Sequence, residues 1–160
     1  MGRSWLAEAP ESSVDAVLEL RPELADRYDA LLDTVWRSGV DPVLLELCRI
    51  RMAQLLGDGA GAAARTPAAV VAGFSEQLAV RLDEWWSYPS FGKQERSALA
   101  VAEQFVVDVH GVTDERFASL TAHLGDAGAV AFSMALALFD GQSRLRLAFA
   151  ASDLSQGEPA

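Results

Sequence analysis

The residues of this chain best suited to chemistry are charged groups set among apolar ones. Arg51 falls inside the apolar arc that Leu44, Leu47, Cys48, Met52 and Leu55 draw on a helix predicted from Pro42 to Leu56. Glu95 falls inside the arc of Ala98, Leu99, Ala102, Phe105, Val106 and Val109 on a second helix, predicted from Lys93 to His110. Glu103 and His110 sit on the edge of that arc. A lone buried charge is too costly to keep, so each of these groups needs a partner. The simplest arrangement faces the two helices, with Arg51 buried and hydrogen-bonded to at least one of Glu46, Glu95 and Glu103. Such a pair either fixes helix register as a plain buried ion pair or lines a pocket in which burial tunes a pKa.

Other chemistries are narrowed by what is scarce. Cys48 is the only cysteine, so no intramolecular disulfide and no cysteine-based zinc cage can form. It lies on the apolar arc, where a buried structural thiol is expected. His110 precedes Gly111 at a helix end, where the dipole favours a cation, and His123 falls near the end of a short helix, at the surface. Glu46, Asp58, Glu103 and a histidine have no fixed ligand spacing, so no metal site and no cofactor is expected. The formal net charge is −10, from 23 acidic and 13 basic residues, and there is no basic run to meet nucleic acid or an anionic membrane. The longest uncharged stretch, Ala127–Phe139, has 13 residues, too short to span a bilayer. The N-terminal MGRSWLAEAPESS lacks the apolar region of a signal peptide, and a cytoplasmic location is expected.

The elements that must position these groups read as helices throughout. Alternating β-branched runs bounded by hairpin turns are absent. Leu24, Tyr28, Leu31, Leu32 and Val35 repeat at helical spacing after Pro22, a first-turn proline. Asp41-Pro42 reads as an N-cap with proline at N1, and Gly57 as a stop. Asp58–Arg65, DGAGAAAR, is small and is predicted to be flexible. Thr66-Pro67 restarts a short helix, and Ser75 caps one running to about Trp85. Ser87–Gly92 is a loop; Thr113 caps a short helix to Leu124, and Asp126 caps a long one to about Ala150. Apolar residues surround that last helix, which is therefore expected at the bundle centre or in a subunit interface. The expected architecture is a single all-α domain, residues 1–151, a bundle of seven or eight helices with a frayed tail over 152–160.

Three stretches, Leu44–Gly57 (LLELCRIRMAQLLG), Trp85–Glu103 (WWSYPSFGKQERSALAVAE) and 113–145 (TDERFASLTAHLGDAGAVAFSMALALFDGQSRL), resemble the carboxymuconolactone decarboxylase family and its alkylhydroperoxidase D-like branch. The resemblance runs from about Asp41 to Phe149, with Arg144 in the family's terminal position. It implies an all-α fold and a homo-oligomer, a trimer or a hexamer. The branch's peroxidase motif joins a Glu, two Cys and a His. One thiol attacks, the other resolves it, and a helix start with a nearby His favours the thiolate. Laid onto this chain, the Glu is Glu46, the two Cys positions fall on Asp58 and Gly61, and the His position falls on Arg65. Both sulfurs are gone, so thiol peroxidase chemistry by this route is not expected. The polar residues of the lactone decarboxylases have no matched positions here.

Two functions follow. In one, Glu46, Asp58 and Arg65 replace the thiol site and do acid/base work in a cofactor-free lyase, decarboxylase or isomerase, or hold a small-molecule ligand. Trp85, Trp86 and Tyr88 would wall that pocket, unless they simply pack the loop. In the other, the chain is a catalytically inactive oligomeric scaffold or interaction protein. A polar-lined cavity at Glu46 and Asp58 favours the first; a site filled by side chains favours the second.

Overall fold

Proline and aspartate start the helices much as their positions predict. The computed structural model describes residues 14–150, which form eight α-helices, two single 3-10 turns and no strand among the described residues. They are α1 (Val14–Leu18), α2 (Pro22–Trp36), α3 (Pro42–Leu56), α4 (Gly59–Ala63), α5 (Pro67–Val71), α6 (Glu76–Ala79), α7 (Lys93–Val107) and α8 (Asp114–Ala150). Proline stands in the first turn of α2, α3 and α5. Asp41 caps α3 by accepting from the Val43 amide at 2.9 Å. The fold is all-α, as expected. The N-terminal MGRSWLAEAPESS and the tail predicted to fray lie outside the described residues.

The helix buried on all sides is α3, not the last helix. Residues 44–50 are all buried, as are Met52 and Ala53, and α3 packs against α4, α5, α7 and α8. Its apolar residues therefore surround the axis instead of forming one stripe. By contrast, α8 puts Phe132, Ala135, Leu136 and Phe139 into the core but leaves Val130 and Met134 exposed. By length and apolar character Asp114–Phe149 could cross a bilayer. Its backbone, however, breaks at Gly125 (φ 69°, ψ 170°) into two arms, a conformation that only glycine adopts easily.

Three local expectations are corrected. The segment after Gly57 is not a flexible loop: Asp58 accepts from the Gly61 amide at 2.9 Å and caps α4. GAGAA carries no apolar period, so the cap alone signals the helix. The helix expected from Ser75 to Trp85 is cut to α6 and a 3-10 turn at Leu82–Glu84. The helix expected to end at His110 ends at Val107. Asp108 is extended there (φ −160°), its side chain accepts from the His110 amide, and Val109–Gly111 make a 3-10 turn. Val109 is therefore exposed instead of continuing the α7 arc, and His110 and His123 are both exposed.

Candidate functional site

Glu46 is wholly buried in α3 and every lone-pair position of its carboxylate is used. Arg49, one turn later, donates Nε to Oε2 and Nη2 to Oε1, both at 2.8 Å. Thr66 donates its amide to Oε1 at 2.9 Å and its hydroxyl to Oε2 at 2.8 Å. Arg49 also donates to the carbonyls of Gly61 and Ala64, each at 2.7 Å. One buried ion pair thus ties α3 to α4 and to the start of α5. Thr66 spends its hydroxyl on Glu46 and does not cap α5. Burial, the largest influence, pushes the Glu46 carboxyl up, but the bonds and charge of Arg49 and the two Thr66 bonds outweigh it. The net effect holds Glu46 below the ordinary carboxylate value.

Asp58 forms a second closed cluster. Its Oδ2 accepts from Nε and Nη2 of Arg146, both at 2.8 Å, and Ser143 hydrogen-bonds to the same carboxylate. Burial again raises this carboxyl most, and Arg146, the Gly61 amide and Ser143 together lower it below its usual value. Gly61 is what allows the cluster to close. A Cβ there would stand 2.2 Å from Asp58 Oδ2 and 2.6 Å from Arg146 Nη2. The room that a side chain at this position needs is filled by the Asp58–Arg146 pair.

Arg65 does not join either carboxylate. Its fork grips Glu76 on α6 at 2.7 and 2.8 Å, and its Nη1 donates to the carbonyls of Ala62 and Ala64. The guanidinium lies 5.5 Å from the centre of the Phe74 ring. Glu46, Asp58 and Arg65 are thus neighbours in sequence order but belong to three separate ion pairs. Since Glu76 is well exposed, the Arg65–Glu76 pair is screened by water. Arg65→Ala is expected to leave the urea midpoint close to that of the wild-type chain; a large drop would show that Arg65 carries part of the buried network.

The expected cross-helix pair is present, with changes. Arg51 Nε donates to Glu103 Oε1 at 2.6 Å, and the Trp85 indole N–H donates to the same oxygen at 2.9 Å. Arg51 is only partly buried, at 14% side-chain exposure, because α3 already surrounds its own axis with core residues and turns Arg51 toward the rim. Glu95 takes no part. Its carboxylate lies over Gly92, 2.7 Å from where a Cβ would be, at the N-terminal end of its own helix. Trp86 is exposed and meets Trp85 edge-on, while Tyr88 packs against Phe91 and under Arg81. The three aromatics do not wall Glu46 or Asp58. Cys48 is fully buried, and burial pushes its thiol pKa well above the ordinary value.

Arg49, Thr66, Ser143 and Arg146 carry the site and were not singled out from sequence. Arg49 had a signal, since Glu46-x-x-Arg49 is a pair at helical spacing inside an apolar helix. Arg146 had none, because 88 residues separate it from Asp58.

The model of the carboxymuconolactone decarboxylase family matches residues 22–104, more than half of the chain. The chain belongs to the carboxymuconolactone decarboxylase family. A solved structure from Agrobacterium tumefaciens, a protein of unknown function proposed to be the antioxidant defence protein AhpD, shares this fold. It superposes with a TM-score of 0.74 at 22% identity, over 90% of this chain and 96% of that one. No curated protein matches the sequence. The matched region of this family member contains Glu46, Arg49, Asp58, Gly61 and Arg65, whereas Arg146 lies beyond it.

Proposed function

We propose that this family member is an oligomeric scaffold or interaction protein in which the Glu46–Asp58 region serves as a structural clamp. One observation carries the reading: both carboxylates are buried and saturated by Arg49, Thr66, Gly61, Arg146 and Ser143. A general base must reach its substrate's proton and should titrate near working pH. These two carboxyls are enclosed and lowered instead. The exposed Val130 and Met134 on α8 support self-association. Light scattering at micromolar concentration is expected to give a multiple of 17.1 kDa, and an alkyl hydroperoxide with a thiol reductant is expected not to turn over. A strictly monomeric mass, or turnover that vanishes in Cys48→Ser, overturns the proposal.

A second reading, a small polar ligand held by a non-redox member, rests on the partly buried Arg51–Glu103–Trp85 cluster. Arg51 gives only Nε to the protein, and Glu103 receives both bonds on Oε1. The η nitrogens and Oε2 have no hydrogen-bond partner among the described residues, so they remain available to a ligand.

A further inference from the structure

Most arginines among the described residues are matched to a carboxylate. Seven of the eleven arginines among the described residues, Arg37, Arg49, Arg51, Arg65, Arg81, Arg144 and Arg146, make ion pairs. Two of the other four, Arg96 and Arg116, line one pocket of about 230 Å³ between α7 and the first arm of α8. No carboxylate among the described residues is ion-paired with either. Arg96 gives Nε to the Phe91 carbonyl at 2.8 Å, Nη2 to the Tyr88 carbonyl at 2.9 Å, and Nη1 to the Trp86 carbonyl. With five N–H groups in the guanidinium, one is left on each η nitrogen. Arg116 spends a single N–H, from Nη1 to the Gly111 carbonyl at 2.6 Å, and keeps four.

Two hydroxyls complete the lining. Ser97 Oγ and Ser119 Oγ meet at 2.8 Å across the two helices, and Ala100 supplies the remaining apolar wall. A hydroxyl pair shares one proton between two oxygens, so at least one O–H can turn to an incoming acceptor. The uncommitted polar groups at this pocket are donors, the remaining N–H groups of two guanidiniums and a hydroxyl, and its lining charge is positive in a molecule of net charge −10.

We propose that Arg96, Ser97, Arg116 and Ser119 form a binding site for a phosphate group. Planar guanidinium forks suit the oxygens of a phosphate, and here the two forks come from different helices that line the same pocket. The volume falls below the roughly 300 Å³ at which pockets for drug-sized ligands begin, which fits a headgroup and not a whole cofactor. Arg96 also holds the carbonyls of the Trp86–Phe91 loop, so the bound group would sit directly behind that loop. The site is separate from the Glu46 and Asp58 clusters, and the assignment does not depend on the scaffold reading.

The test is titration of the full chain with inorganic phosphate and, in parallel, with glycerol phosphate. Calorimetry and amide NMR shifts follow it at constant ionic strength in chloride. Saturable binding is expected, with shifts confined to 96–100 and 116–119. Arg116→Ala, an exposed position, is expected to weaken binding by at least about tenfold, since a bond to a charged group is lost. Ser119→Ala should weaken it less. Glycerol phosphate binding tighter than phosphate would make the ligand a phosphomonoester; equal or weaker binding would make it the free ion. Absence of saturation with both probes, or affinity unchanged in Arg116→Ala and Ser119→Ala alike, overturns the assignment. Arg27→Ala serves as the control for general loss of positive charge.

Discussion

Arg49→Met is expected to unfold the chain or leave it barely folded at neutral pH. The substitution keeps an unbranched apolar stem and removes the charge. Glu46 would then remain as a carboxylate with no solvent exposure and no cation. Breaking a buried pair from one side costs roughly 3–5 kcal/mol. Most domains have only about 5–15 kcal/mol in total. The loss here lies at the upper end, because Arg49 also satisfies the Gly61 and Ala64 carbonyls. For the same reason the apolar double variant Glu46→Leu/Arg49→Met should not recover full stability: it strands those two carbonyls and the Thr66 donors.

Acid gives an independent check, because the sign of its effect reverses. In the wild-type chain Glu46 is lowered, so its contribution is complete above the ordinary carboxylate pKa, about 4.3, and is lost as pH falls through the folded value below that. In Arg49→Met the main lowering influence is gone and burial raises the folded pKa above the unfolded one. That variant should gain stability relative to wild type as pH falls from neutrality toward the carboxylate range. Urea midpoints at several pH values decide the matter. An Arg49→Met chain as stable as wild type at neutral pH would remove Glu46–Arg49 from any structural role.

Gly61→Ala is expected to be strongly destabilising although it adds a single methyl group. The new Cβ would fall 2.2 Å from Asp58 Oδ2 and 2.6 Å from Arg146 Nη2. Neither atom is the loose end of a flexible side chain. Asp58 is pinned by the Gly61 amide and by Ser143, and Arg146 is pinned by Asp58. Relief requires opening the pair or shifting α4, and overpacking alone costs about 1–3 kcal/mol. Gly59→Ala is the matched control: it sits two residues earlier in the same helix, with nothing within 4 Å of its Cβ. There the alanine should be neutral or mildly stabilising, since it only restricts the unfolded chain. Thermal melts of the two variants should separate clearly; equal melts would mean that α4 adapts and that the Asp58–Arg146 pair is not held tightly.

Local signals in the sequence account for much of the fold. Pro22, Pro42 and Pro67 start helices because a first-turn proline loses no hydrogen bond, and Asp41 caps α3 because its carboxylate meets a free amide. The Arg51–Glu103 pair was legible as well, since unpaired charges on two apolar arcs demand each other. An apolar arc misleads where a helix is buried on more than one face. With α3 enclosed on every side, burial there says nothing about phase, and Arg49 was hidden while the less buried Arg51 stood out. The small residues of α4 have no period to read. No local pattern could join Asp58 to Arg146, because the pairing exists only after α8 has docked.

That last pairing has a kinetic consequence. The Glu46 cluster links residues 3 to 20 positions apart, whereas Asp58 and Arg146 are 88 apart. Loop closure over the longer span costs more entropy before any contact compensates it. The α3–α4 clamp is therefore expected to close early in folding, with the arginine from the far end of the chain acting as a latch that shuts after it. A latch of this kind barely affects how fast the chain folds; it sets how long the folded chain lasts before it opens.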